Sequence, residues 1–214
     1  MQHARMTSPP FDVPPLADDE IHVWQSRWTS GSGELPFVSL LAAYAGPDAP
    51  SVERGEHGKP RYPAPLDHLG FNWSHSGDKA LFAIGRGSPG FELGVDIERV
   101  RPRPRALELA ARFFAPDETR TLEALAEAAL LHGFLRLWTA KEAVLKANGG
   151  GLSYGPHRVA FELGDDAVTP VAFDGEIGPA SAWQVESLDM GAACVAAVAW
   201  RGSKRKIRVF TYAL

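Results

Sequence analysis

Asp96 and Glu98 stand two residues apart in Phe91–Glu98, where Leu93, Val95 and Ile97 alternate with them. Side chains alternate across a strand, so both carboxylates fall on one face, about 6–7 Å apart. Like charges that close are unfavourable without a cation between them. Mg²⁺ takes a few carboxylate oxygens and keeps water or phosphate on its other positions. The plainer alternative is a solvated strand face whose acids sit near Arg99 and Arg101. A second group lies in Trp138–Lys146: Glu142 and Lys146 are one helical turn apart on the same face, with Lys141 about a quarter-turn round. Leu131, Phe134, Leu135, Leu137, Val144 and Leu145 cover much of that helix, so it should be largely buried. On an exposed helix Glu142 and Lys146 would be a surface ion pair. On a buried one, partnership with a metal and a phosphate becomes credible.

Two smaller groups precede these. Phe71–Gly77 carries Ser74 and His75 where a strand runs into a turn, and Gly58-Lys59-Pro60-Arg61 is a basic loop. Taken alone, each has an ordinary reading, as a hydrogen-bonded histidine and as a solvated loop.

The elements that must position these residues read as follows. Ile21–Trp28 alternates well enough for a first strand, and Gly46–Asp67 is rich in Pro, Gly and charge, as an extended loop is. Gly70–Ser74, Lys79–Arg86 and Phe91–Glu98 read as strands, the last two joined by Gly87-Ser88-Pro89-Gly90 as a hairpin. Pro102 and Pro104 break the chain, and helical signals run from Arg105 to Asn148. Pro116-Asp117-Glu118 suits a helix start, and Gly149-Gly150-Gly151 a helix end. Val159–Leu163, Val168–Phe173, Trp183–Leu188, Cys194–Trp200 and Ile207–Tyr212 return to strand patterns. Gly77 and Gly191 each open an apolar strand that reaches a turn and a second strand, a weak internal echo. It suggests two similar halves, although any two hairpins look alike at this level.

Composition limits the alternatives. The 214 residues suit one large domain or two packed halves, able to bury ~70% of the surface an unfolded chain exposes. A net charge of -4 supplies no long-range attraction for nucleic acid or an anionic membrane, so an anionic ligand needs a local cluster of cations. The single cysteine, Cys194, excludes an intrachain disulfide and a cysteine-rich zinc site. Residues 1–20 hold four prolines and no continuous apolar stretch, which predicts a loose tail and no secretory signal. The apolar runs are too short to span a bilayer. The expectation is a cytoplasmic monomer.

Together and in order, four groups of residues resemble the 4′-phosphopantetheinyl transferase superfamily, in particular its Sfp-like branch. They are Gly58-Lys59-Pro60; Asn72-Trp73-Ser74-His75-Ser76; Gly94-Val95-Asp96-Ile97-Glu98; and Trp138-x-x-Lys141-Glu142-Ala143-x-x-Lys146 before Gly151-Leu152. Arg112-Phe113-Phe114, with Glu118 just after, falls between the last two. The resemblance implies an α+β fold of two pseudo-symmetric halves, 21–102 and 103–214, with coenzyme A in the cleft between them. It implies transfer of the phosphopantetheine arm to a serine of an apo acyl or peptidyl carrier protein, with release of 3′,5′-ADP.

Carried over by residue, Asp96, Glu98 and Glu142 would hold Mg²⁺, while Lys146 and Lys141 would neutralise phosphate oxygens. Gly58, Lys59, Pro60, Arg61, Ser74 and His75 would surround the adenine and the 3′-phosphate. Glu142 would take the serine proton, with Glu118 in reserve. One departure stands out: relatives often supply basic residues from an early helix, and Leu35–Gly46 contains none. The runner-up function is a Mg²⁺-dependent phosphodiesterase or nuclease, which the acidic net charge disfavours for a polyanionic substrate. A non-catalytic binding module, indifferent to Mg²⁺, is the third.

Overall fold

A computed structural model describes residues 13–29 and 37–212. In chain order the elements are β1 (Glu20–Arg27), α1 (Val38–Ala45), β2 (Glu53–Arg54), β3 (Pro60–Arg61), β4 (Leu69–Ser76), β5 (Lys79–Arg86) and β6 (Leu93–Arg99). Three helices follow: α2 (Ala106–Phe113), α3 (Pro116–Glu123) and α4 (Glu127–Asn148). The chain closes with β7 (Val159–Leu163), β8 (Val168–Phe173), β9 (Trp183–Leu188), β10 (Cys194–Arg201) and β11 (Lys206–Tyr212). The class is α+β, as the sequence predicts. Of the expected N-terminal tail, residues 1–12 lie outside the described residues, and Leu16 beyond them is buried.

Two sheets stack through their alternating faces. One has the order β11-β1-β5-β4 and the other β6-β10-β9, with short pairs β2-β3 and β7-β8 beside them. Between the sheets, Ile21, Val23, Leu81 and Ala83 pack with Leu93, Val95, Ile97, Val198 and Trp200. On its outer face the four-stranded sheet buries Trp24, Phe71, Phe82 and Ile84 against Leu40, Leu41 and Tyr44 of α1. The three-stranded sheet turns Val195, Ala197 and Ala199 toward α4, which brings Phe134, Leu137, Val144 and Leu145. Each interface removes a whole apolar strand face from water, at ~25 cal/mol per Å², and holds the layers together.

The hairpin predicted at Gly87–Gly90 is not there. β5 pairs with β1 and β4, whereas β6 pairs with β10 in the other sheet. The Gly87 and Gly90 amides donate to the carbonyls of His68 and Asp67, so the connection crosses the start of β4 before joining the second sheet. Phe91 then packs over Gly70, Gly85 and Gly87 at distances no added Cβ would allow without a shift. The true hairpin is β4–β5, closed by Gly77-Asp78 with Gly77 at φ +62. The helical stretch ends where expected: Gly149 is left-handed at φ +97 and its amide caps Leu145 O. Among the described residues no helix is long and apolar enough to cross a membrane.

Trp138 lies on α4, half-buried, with its ring against Phe134, Phe113 and Phe114 at centroid distances of 5.8, 6.2 and 6.1 Å. It packs the helix rather than facing the carboxylates. Trp138→Ala should cost about 2 kcal/mol, below the range for a fully buried aromatic, and lower Tm by ~4–8 °C. An unchanged melting curve would show that the ring contributes no packing.

Candidate active site

β4 and β6 are edge strands of different sheets, and polar side chains join them. On β4, Asn72, Ser74 and Ser76 share one face. Asn72 Oδ1 accepts from the Val95 amide at 3.0 Å, Ser74 Oγ donates to Asp96 Oδ1 at 2.8 Å, and Ser76 Oγ donates to Glu98 Oε2 at 3.0 Å. The Arg99 amide in turn donates to Ser76 Oγ at 3.1 Å. Three side chains at every second position thus stand in for a missing backbone ladder, and they orient Asp96 and Glu98.

α4 supplies the other wall. Gly94 lies beneath it so closely that an added Cβ would sit 2.0 Å from Ala143 O. That approach brings Lys146 Nζ to 2.7 Å from Asp96 Oδ1 and 2.9 Å from Ser74 Oγ. Glu142 is 7% exposed and Asp96 5%. Asp96 Oδ2 and Glu142 Oε1 are both buried with no hydrogen-bond partner. Orphaned buried carboxylate oxygens are costly and rare, and two in one place mark a site that expects a cation. Glu98 sits beside them, its Oε2 held by Ser76 and by Arg103 Nη2 at 2.7 Å. Among the described residues no three His, Cys, Asp or Glu side chains form a ready-made metal cage. Mg²⁺ does not require one, because it is usually bound by one or two carboxylates and keeps several waters. The donor set is hard oxygen throughout, which fits that ion.

Burial pushes the Glu142 carboxyl from its ordinary 4.5 up to about 7, with Asp96 and Glu98 adding to the rise and Lys146 opposing it. The folded state therefore keeps a proton that the unfolded chain releases, and stability falls as pH rises from 4.5 through about 7. Without metal, Tm should decline across that window, and Glu142→Gln should flatten the decline. Added Mg²⁺ should raise Tm more at pH ~8 than at pH ~6, because binding must displace the proton. Parallel Tm–pH curves for wild type and Glu142→Gln would contradict this.

Not every residue expected at the site is there. Lys141 and Glu118 form an ion pair at 2.7 Å with both side chains 1% exposed. Lys141 Nζ spends its other donors on the carbonyls of Pro156 and Val159, at 3.0 and 2.5 Å. Glu118 accepts from the amides of Ala115 and Phe161 at 2.7 and 2.9 Å. The pair pins α3, α4 and β7 together, so Lys141 as phosphate ligand and Glu118 as reserve base are corrected to a structural pair. Breaking it from one side would leave a buried charge unpaired.

The loop holding Gly58, Lys59, Pro60 and Arg61 is likewise rearranged. Lys59 Nζ donates to Ala147 O at 2.5 Å and Leu93 O at 3.0 Å, satisfying a carbonyl in the last turn of α4 as basic side chains at helix ends do. Burial brings its ammonium down to about 8. Lys59, Pro60 and Arg61 do line a cavity of about 350 Å³, with Tyr62, Phe71 and Gly149. His75 is elsewhere, at the opposite end of β4 from that cavity, exposed on the face away from Ser74 and stacked on Trp28 at 4.4 Å. The structure does not bring Lys59, Arg61 and His75 to one point. Sequence reading left out Asn72, Ser76 and Arg103 as positioning groups. The period-two spacing of Asn72, Ser74 and Ser76 was the available signal.

A model of the 4′-phosphopantetheinyl transferase superfamily matches residues 92–199, which include Asp96, Glu98, Glu142 and Lys146. The chain is 35% identical over 180 residues to 4′-phosphopantetheinyl transferase HetI of Nostoc sp., covering 82% of this chain and 71% of that protein. It is 39% identical over 127 residues to 4′-phosphopantetheinyl transferase AcpT of Escherichia coli K12, 59% of either chain. Identity is 40% over 117 residues with a Synechocystis sp. protein that carries the same transferase name, and that match spans only 45% of the relative's length.

Proposed function

The chain belongs to the 4′-phosphopantetheinyl transferase superfamily, and on that premise we propose that it moves the phosphopantetheine arm of coenzyme A to a serine of an apo carrier protein. The observation that carries this is the pair of orphaned buried oxygens, Asp96 Oδ2 and Glu142 Oε1, beside a lysine already bound to Asp96. Asp96, Glu98 and Glu142 would hold Mg²⁺, which when bound would neutralise pyrophosphate oxygens and fix their orientation.

The chain's own residues do the rest. Lys146, 27% exposed at its side chain, is accessible to a phosphate oxygen beside Asp96. Glu142 is the candidate base, since it is a buried carboxylate whose Oε1 has no hydrogen-bond partner beside Lys146 and Asp96. The serine oxygen bonds to the phosphorus that carries pantetheine, the bridging P–O bond breaks, and 3′,5′-ADP leaves with the electron pair. The serine proton passes to Glu142. Displacement of this kind needs charge neutralisation and in-line positioning more than covalent help. The cavity at Lys59–Arg61 is suited to the adenosine end, its phosphate contact falling to Arg61 because Lys59 is engaged at the helix end.

Incubation with coenzyme A, Mg²⁺ and an apo acyl carrier protein, followed by mass measurement of the carrier, tests the reading. The carrier should gain one phosphopantetheine, and only when Mg²⁺ is present. Free phosphopantetheine with an unmodified carrier would identify a phosphodiesterase instead.

A further inference from the structure

Along β6 the peptide groups point by turns to its two edges. Just beyond its ends, Glu92 O accepts from the Arg201 amide and the Val100 amide donates to Ala193 O, so even-numbered residues face β10 and odd-numbered ones the open edge. On that open edge Asn72 takes the Val95 amide and Ser76 the Arg99 amide. Leu93 O, at the start of the same row, is taken by Lys59 Nζ at 3.0 Å. The same ammonium donates to Ala147 O, in the last turn of α4, at 2.5 Å. Lys59 thus joins strand to helix from a loop that belongs to neither. We infer that Lys59 is a positioning residue for transfer: it fixes where α4 lies on β6, and its loop links that placement to occupation of the adenosine cavity. The inference rests on the transfer reading above, which assigns that cavity to the adenosine end of coenzyme A.

The places where the two bonds fall give them leverage. Leu93 directly precedes Gly94, and Ala147 directly follows Lys146. At Gly94 the strand and the helix approach closely, since a Cβ added there would lie 2.6 Å from Ala147 N. Lys59 therefore spans the contact that sets Lys146 Nζ 2.7 Å from Asp96 Oδ1. Its stem is packed as well as its head: a Cβ added at Gly149 would meet Lys59 Cβ at 3.5 Å and Cδ at 3.7 Å. Its backbone is held by the Gly55 amide, which donates to Lys59 O at 2.9 Å, and by the pairing of Arg54 with Pro60 next to it.

The cavity has this loop for one wall and the end of α4, Ala147 to Gly149, for another. A ligand seated between the walls favours the arrangement in which they are bridged. Binding of the adenosine end then contributes to kcat and not only to KM, as contacts remote from a reacting bond do when they serve to position it.

Lys59→Met keeps the stem and removes the donors. Ala147 lines the cavity, so its freed carbonyl can reach water and the fold should hold. With an apo acyl carrier protein, at a temperature where both proteins are folded, kcat should fall about tenfold or more, within the hundredfold that a displacement of ~1 Å can cost. KM for coenzyme A should change less than about threefold, and the kcat loss should be the same with dephospho-coenzyme A. Lys59→Arg, which restores donors, should recover most of kcat. Apart from activity, the Tm increase on adding Mg²⁺ should shrink in Lys59→Met, because the carboxylates that would hold the ion come from both β6 and α4. If Lys59→Met does not fold, Lys59→Gln gives the same readouts with a donor kept. A smaller Mg²⁺ response in the variant, from a wild type that transfers nothing, would retain the link between strand and helix and reject the transfer. A KM rise confined to coenzyme A, sparing dephospho-coenzyme A, would make Lys59 a ligand of the 3′-phosphate and overturn the inference. Unchanged kcat and Mg²⁺ response in a variant that only melts lower would overturn it too, since a purely structural contact predicts that result.

Discussion

In Asp96→Ala, phosphopantetheine transfer should fall by about three orders of magnitude while the protein stays folded. Asp96 is the point where β4, β6 and α4 meet: Oδ1 accepts from Ser74 and Lys146, and Oδ2 is held ready without a partner. Removing the carboxylate deletes a ligand of the expected ion and frees Lys146, so charge neutralisation at the phosphate is lost in two ways. The fold should tolerate it. Lys146 is 27% exposed at its side chain and can find water, and the loss of Asp96 relieves a charge that raises the Glu142 carboxyl. Asp96→Asn sharpens the test by keeping the size and an acceptor oxygen while removing the charge. It should be nearly as inactive as Ala, and both should lose the Tm increase that Mg²⁺ gives the wild type. More than a tenth of wild-type transfer in Asp96→Asn, at working Mg²⁺, would sink the metal assignment.

How much of this could be read in advance differs from residue to residue, for physical reasons. Alternation on β6 sorts Leu93, Val95 and Ile97 from Asp96 and Glu98 because a strand has only two faces and one of them is core. Helical spacing places Glu142 and Lys146 together by the same local logic. Lys141 defeated it. A polar residue on a buried helix can face the site or face a second buried partner, and Glu118 on α3 is a partner that local spacing cannot see. Gly87–Gly90 misled in a related way: its residues specify a turn, but which strand β6 joins depends on β10, about a hundred residues later. The β4–β6 seam was half legible, since Asn72, Ser74 and Ser76 share a face. That they replace a ladder between two sheets follows only once the sheets are known to abut.

Gly94→Ala should be the most damaging Gly→Ala change among the described residues. Its Cβ would lie 2.0 Å from Ala143 O and 2.6 Å from Ala147 N, both backbone atoms that no rotamer change can move aside. Opposite Gly94 on β10 is Ala199, and opposite Asp96 is Ala197, so the sheet presents a shallow trough of small residues where α4 lies. Relieving the clash requires α4 to rise by roughly 1 Å or more, against packing that costs about 1–3 kcal/mol to disturb, and more where backbone must shift. A Tm lower by ~6 °C or more is expected. The functional loss should be larger than the stability loss suggests. Glu142 and Lys146 flank the two helix residues in contact, and Asp96 is two residues along the strand, so the displacement separates the groups that must act together. A misplacement of that size can cost about a hundredfold in rate. Gly55→Ala is the control, because its Cβ would meet only Lys59 O at an ordinary 3.6 Å and its φ is not left-handed. It should match the wild type in Tm, which is the comparison it serves, since Gly55 itself lines the cavity at Lys59–Arg61. If Gly94→Ala did so as well, the close approach of helix and strand would not be what assembles the site.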